Sequence, residues 1–148
     1  MPNDDIKATV REYFEAMNAH GGGGAAGLWA ADSTNFGRPI ERQRLEKLMG
    51  ELVQIYDHFE IKEMIAEKDW VACRVITSGK HTMRPTVPFD SGIWQLNEPS
   101  GREFTFQHIH MFRIVDGKIK EHTACRDDLG AARQIGLELV TADDEKPR

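Results

Sequence analysis

The segment spanning residues 102–126 constrains the fold more than any other part of this chain. Apolar and polar side chains alternate up to Val115, Asp116-Gly117 is a tight-turn pair that tolerates positive φ, and residues 118–126 return as a partner strand. Alternation places Phe104, Phe106, His108, His110, Phe112 and Ile114 on one face, and Thr105, Gln107, Ile109, Met111 and Arg113 on the other. The first face is aromatic and carries two imidazoles. It has to be buried, and the N-terminal half of the chain supplies the cover.

Ile6, Val10, Tyr13, Phe14 and Met17 recur at helical spacing, with Asp4 and Asp5 near the positive end of the helix dipole. The glycine run 21–24 reads as a flexible connector, because glycine loses too much backbone entropy to continue a helix. A short helix through Leu28 and Trp29 is expected next, followed by irregular chain over 32–39. From Ile40 onward, Leu45, Leu48, Met49, Leu52 and Ile55 form one apolar stripe of a further helix. The period then changes to two. Phe59, Ile61 and Ile65 share a parity, Glu67-Lys68-Asp69 turns the chain, and 70–77 is a β-branched strand. Pro85, Pro88, Pro99, Gly92 and Gly101 mark 82–101 as a long, lid-like excursion with one short strand over 93–96. A final helical turn over 129–137 ends at Gly136, and 141–148 is a charged tail. Helices followed by antiparallel strands predict a single α+β domain over 1–140, its helices packed on one face of a curved sheet.

At 148 residues with a net charge of −5, the chain can bury a sizeable core without a metal or disulfide staple. The acidic balance offers no footprint for nucleic acid or an anionic membrane. Cys73 and Cys125 are the only cysteines and read as reduced thiols. The opening Met-Pro-Asn-Asp-Asp lacks a basic, apolar leader, and no run approaches 18 apolar residues, so a cytoplasmic location is expected.

Three of the six histidines fall on the hairpin, and pairing across the turn brings His122 close to His110. Imidazole suits proton transfer because its ordinary pKa of about 6.5 lets it hold or release a proton near neutrality. The bland alternative is a histidine bonded to a backbone group. The sharper one is a metal held by His108, His110 and His122, although the glutamate a cupin-like site places soon after its His-x-His pair is missing. Asp127 reads as an orienting carboxylate beside Arg126, Asp128 as a cap for the last helix, and Asn35 as a carbonyl ligand or a turn former.

The stretch from Phe112 to His122, continuing through Arg126-Asp-Asp-Leu-Gly-Ala-Ala-Arg-Gln-Ile-Gly136, resembles the SnoaL-like polyketide cyclases, as do Pro99-Ser-Gly-Arg102 and Phe14-Glu-Ala-Met-Asn18. The resemblance covers most of residues 5–137. It implies a nuclear transport factor 2-like cone, no metal or cofactor, and a homodimer paired through exposed sheet faces. The family's well-known members close polyketide rings by intramolecular aldol condensation, using an aspartate that aligns with Ala124, which cannot move a proton. The family's pocket asparagine aligns with Asn35 and its histidine with His110; a pocket glutamine is replaced by His108, and Thr123 stands where tryptophan is frequent. Relatives with alanine at the aspartate position include proteins implicated in cofactor-free hydroxylation of anthracycline-type aromatics.

The resulting expectation is a cofactor-independent acid/base enzyme acting on a small hydrophobic or aromatic molecule. His110, His122 and Asp127 are its catalytic group, and Asn35, His108, Phe106 and Phe14 its substrate-binding group. The alternatives are a non-catalytic binder of a hydrophobic ligand, or a metal enzyme at the three histidines.

Overall fold

The computed structural model describes residues 3–87 and 92–144. In chain order it runs α1 (Asn3–Asn18), α2 (Gly22–Gly27), β1 (Trp29–Asn35), β2 (Arg38–Pro39), α3 (Arg42–Ile55), β3 (Tyr56–Glu67), β4 (Trp70–Lys80), β5 (Glu103–Val115), β6 (Lys118–Arg126) and α4 (Asp128–Gln134). The strands form one six-stranded sheet, ordered β2-β1-β6-β5-β4-β3. All of its neighbours pair antiparallel except β1 and β6, which are parallel. The predicted α+β class with helices laid on a curved sheet holds.

The expected stripe of α1 is buried in full, together with Thr9. Its C-terminal end is tied to β3 through one side-chain amide: Asn18 Nδ2 donates to Phe59 O at 2.9 Å and Asn18 Oδ1 accepts from Phe59 N at 2.7 Å. This pair satisfies the outward backbone groups of Phe59 on β3, the edge strand of the sheet, where no further strand can bond them. On β5, Phe104, Phe106, His108, His110, Phe112 and Ile114 are all buried while Thr105, Gln107, Ile109 and Met111 are exposed. The hairpin closes at Val115 opposite Lys118, as the Asp116-Gly117 signal requires.

Several local expectations are overturned. Residues 22–24 are helical rather than a connector. A Cβ at Gly22 would come within 2.8 Å of the Met49 and Gly50 backbone, so glycine there lets α2 seat directly on α3, and packing outweighs propensity. Trp29 begins a strand instead of extending a helix, and 32–39 is mostly β-structure. Its order comes from long-range pairing, Asn35 lying opposite His122. Ile65, grouped with Phe59 on parity, is 70% exposed because a second shift between Ile61 and Glu63 turns the pleat over. The strand expected over 93–96 is a 3₁₀ turn, Ile93–Gln95.

Within the 82–101 excursion Trp94 is fully buried and donates from Nε1 to the Tyr56 hydroxyl at 3.0 Å. His81, also fully buried, accepts from Ser100 N at Nδ1 (3.1 Å) and faces Trp94 O with Nε2 at 3.3 Å, which closes the base of the excursion. Glu51 on α3 holds its near side, accepting from the Thr86 and Val87 amides at 2.9 Å and from the Thr86 hydroxyl. Burial would raise the Glu51 carboxyl, but those donors outweigh it and keep the pKa below the usual range. The breaker Pro88 and the end of the charged tail from residue 145 lie outside the described residues. Among the described residues no helix is long and apolar enough to cross a membrane.

Candidate active site

The buried face of β5 presents His108 and His110 side by side, and the same face of β6 presents His122, Ala124 and Arg126. Register sets His110 opposite Ala124 and His108 opposite Arg126. The alanine leaves room for the three rings to join head to tail. Asn35 Oδ1 lies 2.7 Å from His122 Nδ1, His122 Nε2 lies 2.9 Å from His110 Nδ1, and His110 Nε2 lies 3.1 Å from His108 Nδ1. Among the described residues His108 Nε2 is buried and has no hydrogen-bond partner. The expected contact between His110 and His122 is therefore present, and Asn35 and His108 extend it at both ends.

Aromatic rings fix the orientation of these imidazoles. Phe112 stacks on His110 at 12° between planes, Phe14 meets His110 edge-on at 5.2 Å, and Trp29 and Phe36 both meet His122 edge-on at 5.6 Å. Burial depresses all three pKa values by penalising the charged ring, and the Arg126 guanidinium adds to the effect. His108 and His122 are pushed down to about 3, and His110 is lowered well below its ordinary 6.5. Three neutral imidazoles at neutral pH offer both lone pairs and N–H groups, the equipment of a base and its relay.

The metal arrangement finds no support in this geometry. His110 turns opposite nitrogens toward its two neighbours, so the three rings do not converge on one point, and no cluster of three or more His, Cys, Asp or Glu among the described residues is placed to hold an ion.

The other expected site residues divide. Asp127 caps α4, its Oδ1 accepting from Gly130 N at 3.0 Å, and it does not line the histidine cavity. The capping role expected of Asp128 thus falls one residue earlier; Asp128 instead pairs with Arg126 at 3.0 Å. Phe14 and Phe106 are core: Phe14 packs on Phe59 and Phe112, and Phe106 on Tyr56, Trp94 and His108. Cys73, opposite His110 on β4, is a buried thiol pushed up to about 12 by desolvation, and Cys125 is exposed; both are free.

The cavity beside the histidines is lined by Tyr13, Met49, Tyr56, Phe59, Ala124 and Arg126, among others, and encloses about 60 Å³. Asn35, Phe36 and Leu48 also line an outer vestibule of about 710 Å³ that includes Arg38, Arg44 and Val87, so Phe36 and Leu48 stand between the two spaces. Phe36 has a φ of +52°, an uncommon conformation for a bulky residue, in the β1–β2 turn with Gly37 at +74°. Sequence reasoning gave Phe36 and Tyr56 no role and Arg126 only that of a neighbour to Asp127. Arg126 was accessible to it, since it shares parity with His122; Phe36 was not, since its place depends on β1 pairing with β6.

A sequence model of the SnoaL-like polyketide cyclase family matches residues 33–135. Aklanonic acid methyl ester cyclase DnrD from Streptomyces peucetius is 32% identical over 90 residues, 61% of this chain and 56% of the relative. The chain spans about half the length of the curated relatives it matches. Among solved structures, AclR of Streptomyces galilaeus superposes with a TM-score of 0.71 at 23% identity, covering 90% of this chain and 97% of the other. TsrD of Streptomyces laurentii superposes with a TM-score of 0.73 at 19% identity, covering 93% and 99%. These likenesses establish the fold as the nuclear transport factor 2-like cone of this group.

Proposed function

This chain belongs to the SnoaL-like polyketide cyclase family, and from that premise we propose that it is an acid/base enzyme, needing no cofactor, that acts on a small aromatic or polyketide-type molecule. The observation that carries the reading is the continuous chain Asn35–His122–His110–His108, buried and open at one end beside the cavity. Ala124 stands at the position to which the family resemblance assigns the ring-closing aspartate, and His110 lies opposite it. A neutral imidazole in a desolvated site removes a proton from a carbon next to a carbonyl, or from a phenol, when the resulting oxyanion is held by a cation. Arg126 is the cation at hand, its side chain 6% exposed.

The ligand reaches the histidines from the vestibule by displacing Phe36 and Leu48, because a space of about 60 Å³ is far below the roughly 300 Å³ of sites that hold drug-sized molecules. Aklanonic acid methyl ester, named in the curated relative, is the first compound to offer. With a turned-over substrate, His110→Phe lowers kcat by about 10²- to 10⁴-fold, the range of a positioned acid/base group; unchanged turnover sinks the assignment. The small cavity and Ala124 favour a second reading, a binder that holds such a ligand without changing it. Recovery of every offered compound intact after tight binding decides for the binder.

A further inference from the structure

The hydrogen-bond chain has a direction, and that direction specifies what the open end does. Each nitrogen–nitrogen contact needs one proton and one lone pair between its two atoms. Asn35 Oδ1 carries only lone pairs, so His122 Nδ1 at 2.7 Å is the protonated nitrogen. His122 is neutral, held so by burial and by Arg126, and its Nε2 therefore carries a lone pair. His110 Nδ1 must donate to it at 2.9 Å, which leaves His110 Nε2 bare to accept from His108 Nδ1 at 3.1 Å. All three rings are then Nδ1–H tautomers. The last lone pair, on His108 Nε2, is buried and unmet. Buried acceptors without a donor are rare in folded proteins, and one beside a cavity marks a place where a ligand supplies the donor.

We infer that the three histidines form one polarised proton relay, in which the Asn35 amide sets the direction and His108 Nε2 is the terminal base, accepting a proton from a ligand that presents an acidic phenol O–H or a C–H beside a carbonyl. The inference rests on the acid/base reading above and moves its reactive atom from His110, the middle of the chain, to His108. Asn35 is a positioning residue: turning its amide over would place a proton at every position that now holds a lone pair, and His108 Nε2 would become an acid. In the forward step the ligand's O–H or C–H bond breaks and its electron pair stays behind as a phenolate or enolate. Arg126, opposite His108 on β6, lines the same cavity while paired with Asp128, and is the cation that would hold that oxygen. The proton binds His108 Nε2, the Nδ1 proton of His108 passes to His110 Nε2, and that of His110 passes to His122 Nε2. The charge ends on His122, which still donates to Asn35 Oδ1. The reverse sequence returns the proton.

Long-range proton–nitrogen correlation spectra of uniformly ¹⁵N-labelled protein at pH 7 read the tautomers directly and require no turnover. The expected spectrum shows His108, His110 and His122 all protonated at Nδ1 and bare at Nε2; a proton on Nε2 of any of them overturns the relay. Asn35→Asp keeps an oxygen acceptor and retains Nδ1–H at all three rings. Asn35→Leu removes the acceptor, and a mixture of tautomers is expected as far away as His108; an unchanged His108 overturns the role of Asn35. 2-Naphthol is the probe for ligand class, with 2-methoxynaphthalene, which lacks the proton, as its control. Naphthol is expected to shift the His108 Nε2 resonance and the ether to leave it in place; no shift with naphthol overturns the proposed ligand class. An intact relay in a protein that turns over none of its candidate substrates sinks the enzyme reading instead, so the two failures are distinct.

Discussion

His110 commits both ring nitrogens to its neighbours, and this makes the site sensitive to pH through folding as well as through chemistry. The folded protein keeps His108 and His122 neutral down to about pH 3, whereas in the unfolded chain they titrate near 6.5. Below 6.5 the unfolded state binds protons that the native state refuses. Stability is therefore fully present above about pH 6.5 and declines as pH falls toward 3, by up to about 1.4 kcal/mol per pH unit for each such histidine. Thermal melts between pH 7.5 and 5 should show a falling Tm, with a shallower fall in His110→Phe. A Tm that stays level across that range refutes the depressed values. The pairing of His110 with His122 was legible from alternation and a turn dipeptide, because both act over a few residues. The part played by Asn35 was not, since it is 87 residues away from its partner and reaches it only through parallel pairing of β1 with β6.

At the scale of elements, the long hairpin, α1 and α3 followed from periodicity, while the glycine run and β1 did not. α2 exists because Gly22 brings it onto the backbone of α3, which yields a direct test. Gly22→Ala forces a Cβ against rigid backbone and should cost about 1–3 kcal/mol, the usual scale of overpacking. Gly23→Ala meets nothing within 4 Å and should be neutral or stabilising by up to about 1 kcal/mol through helix propensity. Urea unfolding of the two variants separates them, and equal effects would show that α2 does not seat as described. The bulges of β3 leave no local signature for a related reason. Parity counted along a strand fails once a register shift intervenes, and nothing in the run 59–65 announces the shift that exposes Ile65.

For the whole molecule, we propose a homodimer paired through the outer sheet face, which carries Ile65, Ile109 at 52% exposure and Met111 at 37% as its apolar surface. Light scattering is expected to return twice the 16.8 kDa chain mass, and Ile109→Lys to lower it toward that of the monomer. A monomeric wild type, or a dimer indifferent to Ile109→Lys, removes that face from the assembly. The amino-acid sequence by itself determined the class of fold and the aromatic, histidine-bearing face of β5, because a period of two, a period near 3.6 and a tight turn are each written in neighbouring residues. Only the tertiary structure decided that Asn35 meets His122, that Asp127 is a helix cap, that Phe36 lines the cavity and that His108 Nε2 has no partner among the described residues. Those facts depend on where distant strands come to lie side by side, and strand pairing across tens of residues leaves no local signature.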